Sequence, residues 1–280
     1  MSLVKTTAII SSETDLQTFL KSVEYRVVRN KEELKKSCAL VYNEYIKRGY
    51  MEKNFSGLRI SIYNAFPQTT TFIAIVEHEV IATATIIPDL SFGLPMETTY
   101  HEELERFRKE NKKICEISML ASDTDLFSSG ASMMLQSKKM FFIFFLFKLI
   151  FDYAKNILNL DNICITINPK HNLTYDFLLF KNMGGLKTYC DANGAPAIAK
   201  SLDLNSIEKE CQEKKKEGIA RMFFRRKTDP EKFSGKFMFS LQDLKYFFTE
   251  KTDIFKNATP FQLDCLKRCY PAYDFSTIIP

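Results

Sequence analysis

The sequence lacks the closely spaced cysteines and histidines that bind structural metal ions. Its three histidines, His78, His101 and His171, are too scattered for a zinc signature. Its seven cysteines include no CxxC pair, and several lie in apolar runs, as is typical of reduced core cysteines in a cytosolic protein. We therefore expect no metal site, no disulfide framework and a cytoplasmic location.

Long apolar runs are also missing. The most apolar stretch, Met140 to Phe151, is interrupted by Lys148 and is shorter than the ~20 residues that span a bilayer. A helix that is apolar on nearly all sides more often lies in a globular core. The first residues contain no basic segment followed by an apolar one, so no signal peptide is expected. The sequence thus predicts no transmembrane segment.

A strong excess of charge of either sign is absent as well. The 280 residues have a formal net charge of +5, and 45% of them are hydrophobic and 26% charged, as in an ordinary globular protein. A mild positive charge favours an acidic partner but does not by itself indicate nucleic acid. We therefore expect no nucleic-acid partner.

The hydrophobic pattern that is present alternates between strands and helices. Strands are predicted at Tyr25–Val28, Thr71–Glu77, Val80–Ile87, Cys115–Ala121, Asn162–Asn168, Leu186–Cys190 and Ala197–Leu204. Helices are predicted after Asn30, around Tyr100, from about Ala131 to Asn156, and from Thr174 to Asn182, with Gly184 and Gly185 as the stop of the last one. This order is typical of an α/β protein with a mixed sheet.

The composition changes towards the end of the chain. From Ser206 to Lys227 the residues are mainly Glu, Lys and Gln, which is typical of a solvated helix face. The last fifty residues return to aromatic helices. We therefore expect an N-terminal arm over residues 1–22, an α/β domain over residues 23–205 and a helical extension over residues 206–280.

One carboxylate, Glu116, interrupts the apolar strand predicted at Cys115–Ala121. An unpaired buried Glu is disfavoured by several kcal/mol or has its pKa raised. Such an acid is usually either paired structurally or acts as a base. The residues alone leave both alternatives open.

Several short motifs occur in an order that resembles a known family. They are Glu116-Ile-Ser-Met-Leu-Ala121, Asn168-Pro-Lys-His171 with Tyr175, Val41-Tyr-Asn-Glu-Tyr45 with Gly49-Tyr50, Gly57-Leu-Arg59, Gly93-Leu-Pro95 and Asn193-Gly-Ala-Pro-Ala197. From Tyr25 to about Asp203 the chain resembles the GNAT acyltransferase superfamily and, within it, the long-chain N-acyl amino acid synthases of the FeeM type, relatives of the acyl-homoserine-lactone synthases. The resemblance implies a mixed, splayed GNAT-like sheet flanked by helices.

The resemblance also implies a reaction. An acyl group would pass from an acyl carrier protein thioester, or from acyl-CoA, to the amine of an amino acid or a similar small amine, without a bound cofactor. A typical acetyltransferase holds the coenzyme A pyrophosphate on a glycine-rich loop after the central strand. Only Ser128-Ser129-Gly130 remains of that loop here, which favours the carrier protein as donor. A basic patch for this acidic partner is predicted at Arg221, Arg225, Arg226 and Lys227.

Acyl transfer to an amine requires a base and donors for the oxyanion. Glu116 is the first candidate for the base, since the related lactone synthases begin the equivalent strand with a Glu. The oxyanion donors of this fold are backbone N–H groups, expected near Leu120 and Ala121. Ser118 either orients a substrate or bonds to its strand neighbours, and Arg59 either binds the acceptor carboxylate or lies on the surface.

Further alternatives stay open. His171 is the second candidate for the base, or it is a helix-start residue. The Met and Phe side chains of residues 133–151 either line an acyl tunnel or form a core stripe. The chain as a whole is either this N-acyltransferase or a catalytically inactive GNAT-like module that binds an acyl group, a lipid or a protein partner.

Overall fold

The computed structural model describes residues 19, 21–125, 133–213, 216–221, 223 and 227–279, and for residues 133–142 and 219 only the course of the helix. The strands are β1 (Glu24–Val27), β2 (Thr70–Val76), β3 (Glu79–Pro88), β4 (Ile114–Ser122), β5 (Asn162–Ile167), β6 (Lys181–Tyr189) and β7 (Ala195–Asp203). The helices are α1 (Lys31–Lys47), α2 (Glu97–Lys109), α3 (Met133–Asn156), α4 (Asn172–Phe177), α5 (Ile207–Glu213), α6 (Glu217–Ala220), α7 (Leu241–Lys245), α8 (Ile254–Asn257) and α9 (Pro260–Cys269).

The strands form one mixed sheet in the order β1-β2-β3-β4-β5-β7-β6. All neighbours are antiparallel except β4 and β5, which are parallel. The pairing of β4 with β5 ends where Ile117 lies opposite Ile165, although β4 continues to Ser122. The two strands therefore splay apart in the middle of the sheet, and the predicted GNAT-like, mixed and splayed architecture is confirmed.

Local sequence signals account for the first helix and the first hairpin. The side chain of Asn30 accepts a hydrogen bond of 2.9 Å from the N–H of Glu33 and so caps α1, as the sequence predicts. The turn between β2 and β3 consists of Glu77 and His78, both in the left-handed region with φ of 48° and 67°. Two such residues suit the right-handed twist of a hairpin.

Helix α3 packs on one face of the sheet. Its residues Leu146, Phe147, Ile150 and Phe151 are fully or almost fully buried in the largest core cluster. The prediction of a buried helix is therefore confirmed for the part whose side chains are described. Across the described residues, no helix combines the length and the apolar character that a membrane crossing requires.

The C-terminal helices pack on the opposite face. Leu244, Phe247 and Phe248 share a second core cluster with Ile73 of β2 and Val28 after β1. A π-helical turn, Tyr246–Glu250, continues α7 and carries both phenylalanines. Aromatic side chains after residue 236 thus cover the sheet between β1 and β3.

The prediction around the two neighbouring glycines is wrong. Helix α4 ends at Phe177, and β6 runs from Lys181 to Tyr189 through Gly184 and Gly185. The strand has a glycine at position 184 because a Cβ there would lie 2.7 Å from the ring of Tyr100 on α2. The glycine thus serves a close approach of helix and strand, and it does not end a helix.

Candidate active site

Two cavities meet where β4 and β5 splay. The Arg59 cavity has a volume of about 240 Å³ and is bordered by Arg59 and Asp191. The Glu116 cavity has a volume of about 270 Å³ and is bordered by Glu116 and His171. Shared lining residues include Ser118, Met119, Thr166, Ile167 and Asn168. The cavities are therefore two parts of one cleft in the sheet.

A β-bulge shapes the β4 side of this cleft. Ser118 lies opposite Thr85 and Ala121 opposite Thr83, so that two residues of β4 face one residue of β3. One of the two, Met119, is in the left-handed region with φ of 53°. Successive backbone N–H groups of a strand point to opposite edges. Beyond Ile117, the N–H groups of β4 that point away from β3 therefore face the cleft, where no pairing with β5 continues.

Glu116 is 2% exposed and lies at the start of this segment. Its Oε2 atom accepts a hydrogen bond of 2.8 Å from the N–H of Met96, and within the described residues no cation pairs with it. Burial raises the pKa of Glu116 to about 8, the charges of Asp191 and Glu97 add to this effect, and the Met96 N–H opposes it. Of the two alternatives left open above, the structurally ion-paired acid is thus disfavoured.

An ionic cluster fixes the helix that supplies the Met96 N–H. Arg108 of α2 binds Asp89 after β3 at 2.8 Å and Glu97, the first residue of α2, at 2.7 Å. It also binds Glu105 at 2.8 Å. Glu97, Glu105 and His101 are close enough together to hold a metal ion, but the Arg108 guanidinium already binds both carboxylates. The cluster therefore joins the end of β3 to the start of α2.

Arg59 is half-buried in its cavity. Its Nη2 atom donates to the backbone carbonyl of Asp191 at 3.3 Å, and its buried Nε atom has no hydrogen-bond partner among the described residues. The hydroxyl groups of Tyr50 and Thr166, which also line this cavity, are likewise buried without a partner. Three polar groups that border the cleft therefore lack a hydrogen-bond partner. In most proteins, nearly all buried polar groups have one.

His171 ends a short 3-10 turn, Pro169–His171, and immediately precedes α4. Its N–H donates to the carbonyl of Asn168 at 2.9 Å, and its exposed side chain borders the Glu116 cavity. His171 therefore lies at a helix start and also borders the cavity. Both sequence interpretations fit its position.

The remaining predicted residues are in the same cleft. Ser118 borders both cavities, and Leu120 and Ala121 border the Glu116 cavity. Ile143 of α3 is the described residue of that helix that reaches the same cavity. The predicted Ser128-Ser129-Gly130 remnant, Arg225, Arg226 and the side chains of residues 133–142 lie outside the described part of the chain.

Sequence reasoning missed the tyrosines of the site. Tyr45, Tyr50, Tyr63 and Tyr189 all border the Arg59 cavity. Burial and, next, the charge of Glu116 raise the pKa of both Tyr63 and Tyr189, which indicates that Glu116 is electrostatically close to this cavity as well. Tyr45 and Tyr50 belong to a motif noted above, but a motif does not indicate where its side chains lie.

Comparison with known proteins agrees with this geometry. The family model of the N-acyl amino acid synthase FeeM matches residues 36–203. The solved structure of FeeM, an N-acyl amino acid synthase from uncultured soil microbes, is 30% identical with a TM-score of 0.56, over 67% of this chain and 93% of that chain.

Two acyl-homoserine-lactone synthases are also similar in structure. LasI is 15% identical with a TM-score of 0.48, over 65% of this chain and 89% of that chain. The CoA-dependent BjaI is 11% identical with a TM-score of 0.49, over 80% of this chain and 98% of that chain. None of the curated proteins matches the chain significantly in sequence. The FeeM family model matches well over half of the chain, and the fold of the chain agrees with the solved FeeM structure. The chain therefore belongs to the FeeM family of N-acyl amino acid synthases and is an acyltransferase.

Proposed function

We propose that this N-acyltransferase transfers a long-chain acyl group from an acyl carrier protein thioester to the amine of an amino acid or a similar small amine. The observation that carries the proposal is the environment of Glu116. This acid is buried, has no cation beside it in the described part of the chain, and immediately precedes the β4 segment that borders both cavities. A carboxyl group with a pKa of about 8 is suited to accept a proton near neutral pH.

The Arg59 cavity is the proposed acceptor site. The Nε atom of Arg59 is buried without a partner, and a carboxylate is the group that a guanidinium binds best. Asp191 borders the same cavity, and Glu116 is electrostatically close to it. An amino acid therefore fits the cavity with its carboxylate towards Arg59 and its ammonium towards the two acids.

The Glu116 cavity is the proposed donor site. Its walls include Ile143, Ile165 and Ile167, apolar side chains that suit the first part of an acyl chain. The thioester carbonyl would face the backbone N–H groups near Leu120 and Ala121. Fixed N–H donors aimed at a developing oxyanion are among the most effective means of stabilising this transition state.

The proposed reaction follows from these positions. Glu116 takes the proton that the acceptor ammonium must lose, and the free amine attacks the thioester carbonyl. The C–N bond forms, and the oxyanion accepts hydrogen bonds from the β4 amides. When the intermediate collapses, the C–S bond breaks, and the phosphopantetheine thiolate takes up the proton that Glu116 holds. Glu116 then accepts the second proton that the nitrogen must lose to become an amide and passes it to solvent. The base is thereby restored.

Basic residues, two of them next to α4, whose Thr174 and Tyr175 border the Glu116 cavity, favour an acidic carrier. Lys170 and Lys216 flank α4, and the Nζ atom of Lys216 donates to the carbonyl of Phe177 at 3.2 Å. Arg221 and Lys227 are exposed, and the whole chain has a net charge of +5. These charges would steer an acidic carrier protein towards the donor site.

All seven cysteines are free thiols, and we infer that the reaction takes place in the reducing cytoplasm.

The donor is tested with matched acyl groups on carrier protein and on coenzyme A. N-acyl amino acids are quantified by mass spectrometry at low and at high salt. We expect faster transfer from the carrier protein and a rate that falls with salt, since the screening length shrinks from ~10 Å at ~0.1 M to ~3 Å at ~1 M. A preference for the coenzyme A thioester, or a carrier-protein rate that is indifferent to salt, would contradict the proposed donor. Absence of any acylated amine would leave the inactive, ligand-binding module as the better interpretation.

The acceptor is tested with Arg59→Gln. The KM for an amino acid should rise by at least about tenfold, because a charged hydrogen bond to its carboxylate is lost. The matching amino acid amide, which has no carboxylate, is the control substrate, and its KM should change little. An equal change for both substrates would show that Arg59 does not bind the carboxylate.

A further inference from the structure

The residues that form one wall of the Arg59 cavity come from a single loop. Arg59, Ser61 and Tyr63 all border the cavity, and they belong to the segment 57–68, here called the Arg59 loop. The alternation of these residues with Leu58, Ile60 and Ile62, all buried, directs every second side chain away from the cavity. The loop thus presents a polar side to the cleft and an apolar side to the core.

The Arg59 loop is held locally by short-range hydrogen bonds and by one backbone bond to α1, and it has little regular structure. None of the described sheet pairings includes it, and its regular structure is one 3-10 turn, Ile62–Ala65. The side chain of Asn64 accepts a hydrogen bond of 2.9 Å from the N–H of Ser61, and the N–H of Arg59 donates to the carbonyl of Cys38 at 3.0 Å. A loop with so little regular structure relies on what packs behind it.

The C-terminal extension, residues 206–280, supplies that support. The hydroxyl of Tyr270 donates to the carbonyl of Ala65 at 2.8 Å, and Tyr270 is only 8% exposed. The Nζ atom of Lys236 donates to the carbonyl of Pro67 at 2.6 Å. Both bonds hold main-chain carbonyls at the C-terminal end of the Arg59 loop.

Apolar packing also holds the Arg59 loop against the extension. The loop residues Leu58, Ile60 and Phe66 belong to the same core cluster as Phe239 and Leu266 of the extension. Burial lowers the pKa of Lys236 to about 8, so its ammonium lies in a largely apolar setting where the Pro67 carbonyl is its hydrogen-bond acceptor. The extension and the loop therefore share one desolvated interface.

This support lies outside the part of the chain that matches the family model, which ends at residue 203. The cavity wall that carries Arg59 is inside the match, and the residues that hold it from behind, Lys236 and Tyr270, follow after the match has ended. The extension can therefore influence the acceptor site although it lies outside the part of the chain that matches the family model.

We propose that the C-terminal extension positions the Arg59 loop and thereby sets the affinity of the site for its acceptor, with Tyr270 and Lys236 as positioning residues. The inference rests on the proposed function, since it takes the Arg59 cavity as the acceptor site. Tyr270 and Lys236 border neither the proposed donor cavity nor the reacting atoms. Exchanging either residue should therefore change the KM for the acceptor and not the KM for the donor.

Two tyrosines of the extension provide a matched pair of variants. Tyr270→Phe removes the hydroxyl that holds the loop carbonyl of Ala65, whereas Tyr273→Phe removes a hydroxyl that donates at 2.9 Å to Phe239 within the extension itself. Both variants lose one hydrogen bond of the same kind. They differ in whether the bond reaches the Arg59 loop.

Two measurements compare these variants with the wild type. For Tyr270→Phe the acceptor KM should rise about fivefold, and hydrogen exchange of amides in residues 58–68 should accelerate by a similar factor, the equivalent of one buried hydrogen bond. The donor KM and kcat of Tyr270→Phe should stay within about twofold of the wild type. For Tyr273→Phe, the acceptor KM and the hydrogen exchange of residues 58–68 should both stay within about twofold as well. Lys236→Met, which removes a partly buried charge together with its hydrogen bond, should reproduce the Tyr270→Phe pattern, so that poor folding of one variant leaves the other as a test.

Equal effects of Tyr270→Phe and Tyr273→Phe on acceptor KM, or unchanged exchange of the loop in Tyr270→Phe, would overturn the proposal. The exchange measurement requires no turnover. If the wild type acylates none of the standard amino acids, the proposed function fails, and the exchange comparison alone then decides whether the extension positions the loop.

Discussion

The backbone N–H of Met96 donates to Oε2 of Glu116 across 2.8 Å, and this bond joins the start of α2 to the central strand of the sheet. An N–H at a helix start stabilises a carboxylate. Burial acts in the opposite direction and is the larger effect, so that the pKa of Glu116 is raised to about 8. The bond therefore orients the carboxyl group without holding it permanently ionised, which is what a general base requires.

The first prediction concerns catalysis by Glu116. Glu116→Gln keeps the shape of the side chain and removes its basicity, and acyl transfer should fall by roughly 100-fold or more. In the wild type, kcat/KM for the acceptor should rise with pH up to about 8 as the carboxylate forms in the free enzyme, and this step should vanish in the variant. His171→Gln measured in parallel identifies the base, because only the variant that lacks the base loses the step. Retention of the step in Glu116→Gln would assign it to His171 or to the substrate.

The second prediction concerns stability. The pKa of Glu116 is about 8 in the folded protein against an ordinary value of 4.5, so the folded state binds more protons than the unfolded state between these values. Stability should then fall as the pH rises through this window, by on the order of 1 kcal/mol per pH unit. Glu116→Gln cannot titrate, and its stability relative to the wild type should increase between about pH 5 and about pH 9. Urea unfolding of both proteins at the two pH values measures the difference, and a constant difference would mean that Glu116 has an ordinary pKa.

The third prediction concerns Arg108, which holds α2 against β3. Arg108→Met leaves Asp89 and Glu97 without their shared cation, so unfolding should become easier by about 1–3 kcal/mol. The unneutralised charge of Glu97 should also move the pH step of the reaction to higher pH, since a nearby negative charge raises the pKa of a carboxyl group. His101→Gln is the control, because His101 also contacts Glu97 but its side chain is 64% exposed. A pH step that stays in place in Arg108→Met would show that the cluster does not influence Glu116.

The fourth prediction concerns the close approach of α2 to β6. Gly184→Ala introduces a Cβ that would lie 2.7 Å from the ring of Tyr100, and the resulting overpacking should destabilise the fold by about 1–3 kcal/mol. Gly185→Ala is the matched control, since nothing lies within 4 Å of its Cβ position. Denaturant unfolding should separate the two variants clearly. Equal stability would place the ring of Tyr100 further from the strand than in the structure.

Short-range patterns were sufficient to predict most of the fold. The order of helices and strands follows from the spacing of apolar residues, and the Asn30 cap and the hairpin turn at His78 depend on neighbouring residues alone. The prediction failed at Gly184 because β6 is an edge strand whose residues are mostly exposed, so that no apolar alternation marks it. The reason for this glycine lies in Tyr100, which is distant in the chain.

For the site, the sequence by itself determined that Glu116 is a buried acid in a strand, since an apolar run around one carboxylate is a local signal. Only the tertiary structure decided that no cation in the described part of the chain neutralises it, that the β4 and β5 pairing stops beside it, and that Arg59 borders the adjoining cavity. It also decided which tyrosines line the Arg59 cavity and that the extension supports its loop. The physical reason is that desolvation, charge and cavity shape at one point depend on every segment packed around it, and those segments are brought together by folding and not by their order in the chain.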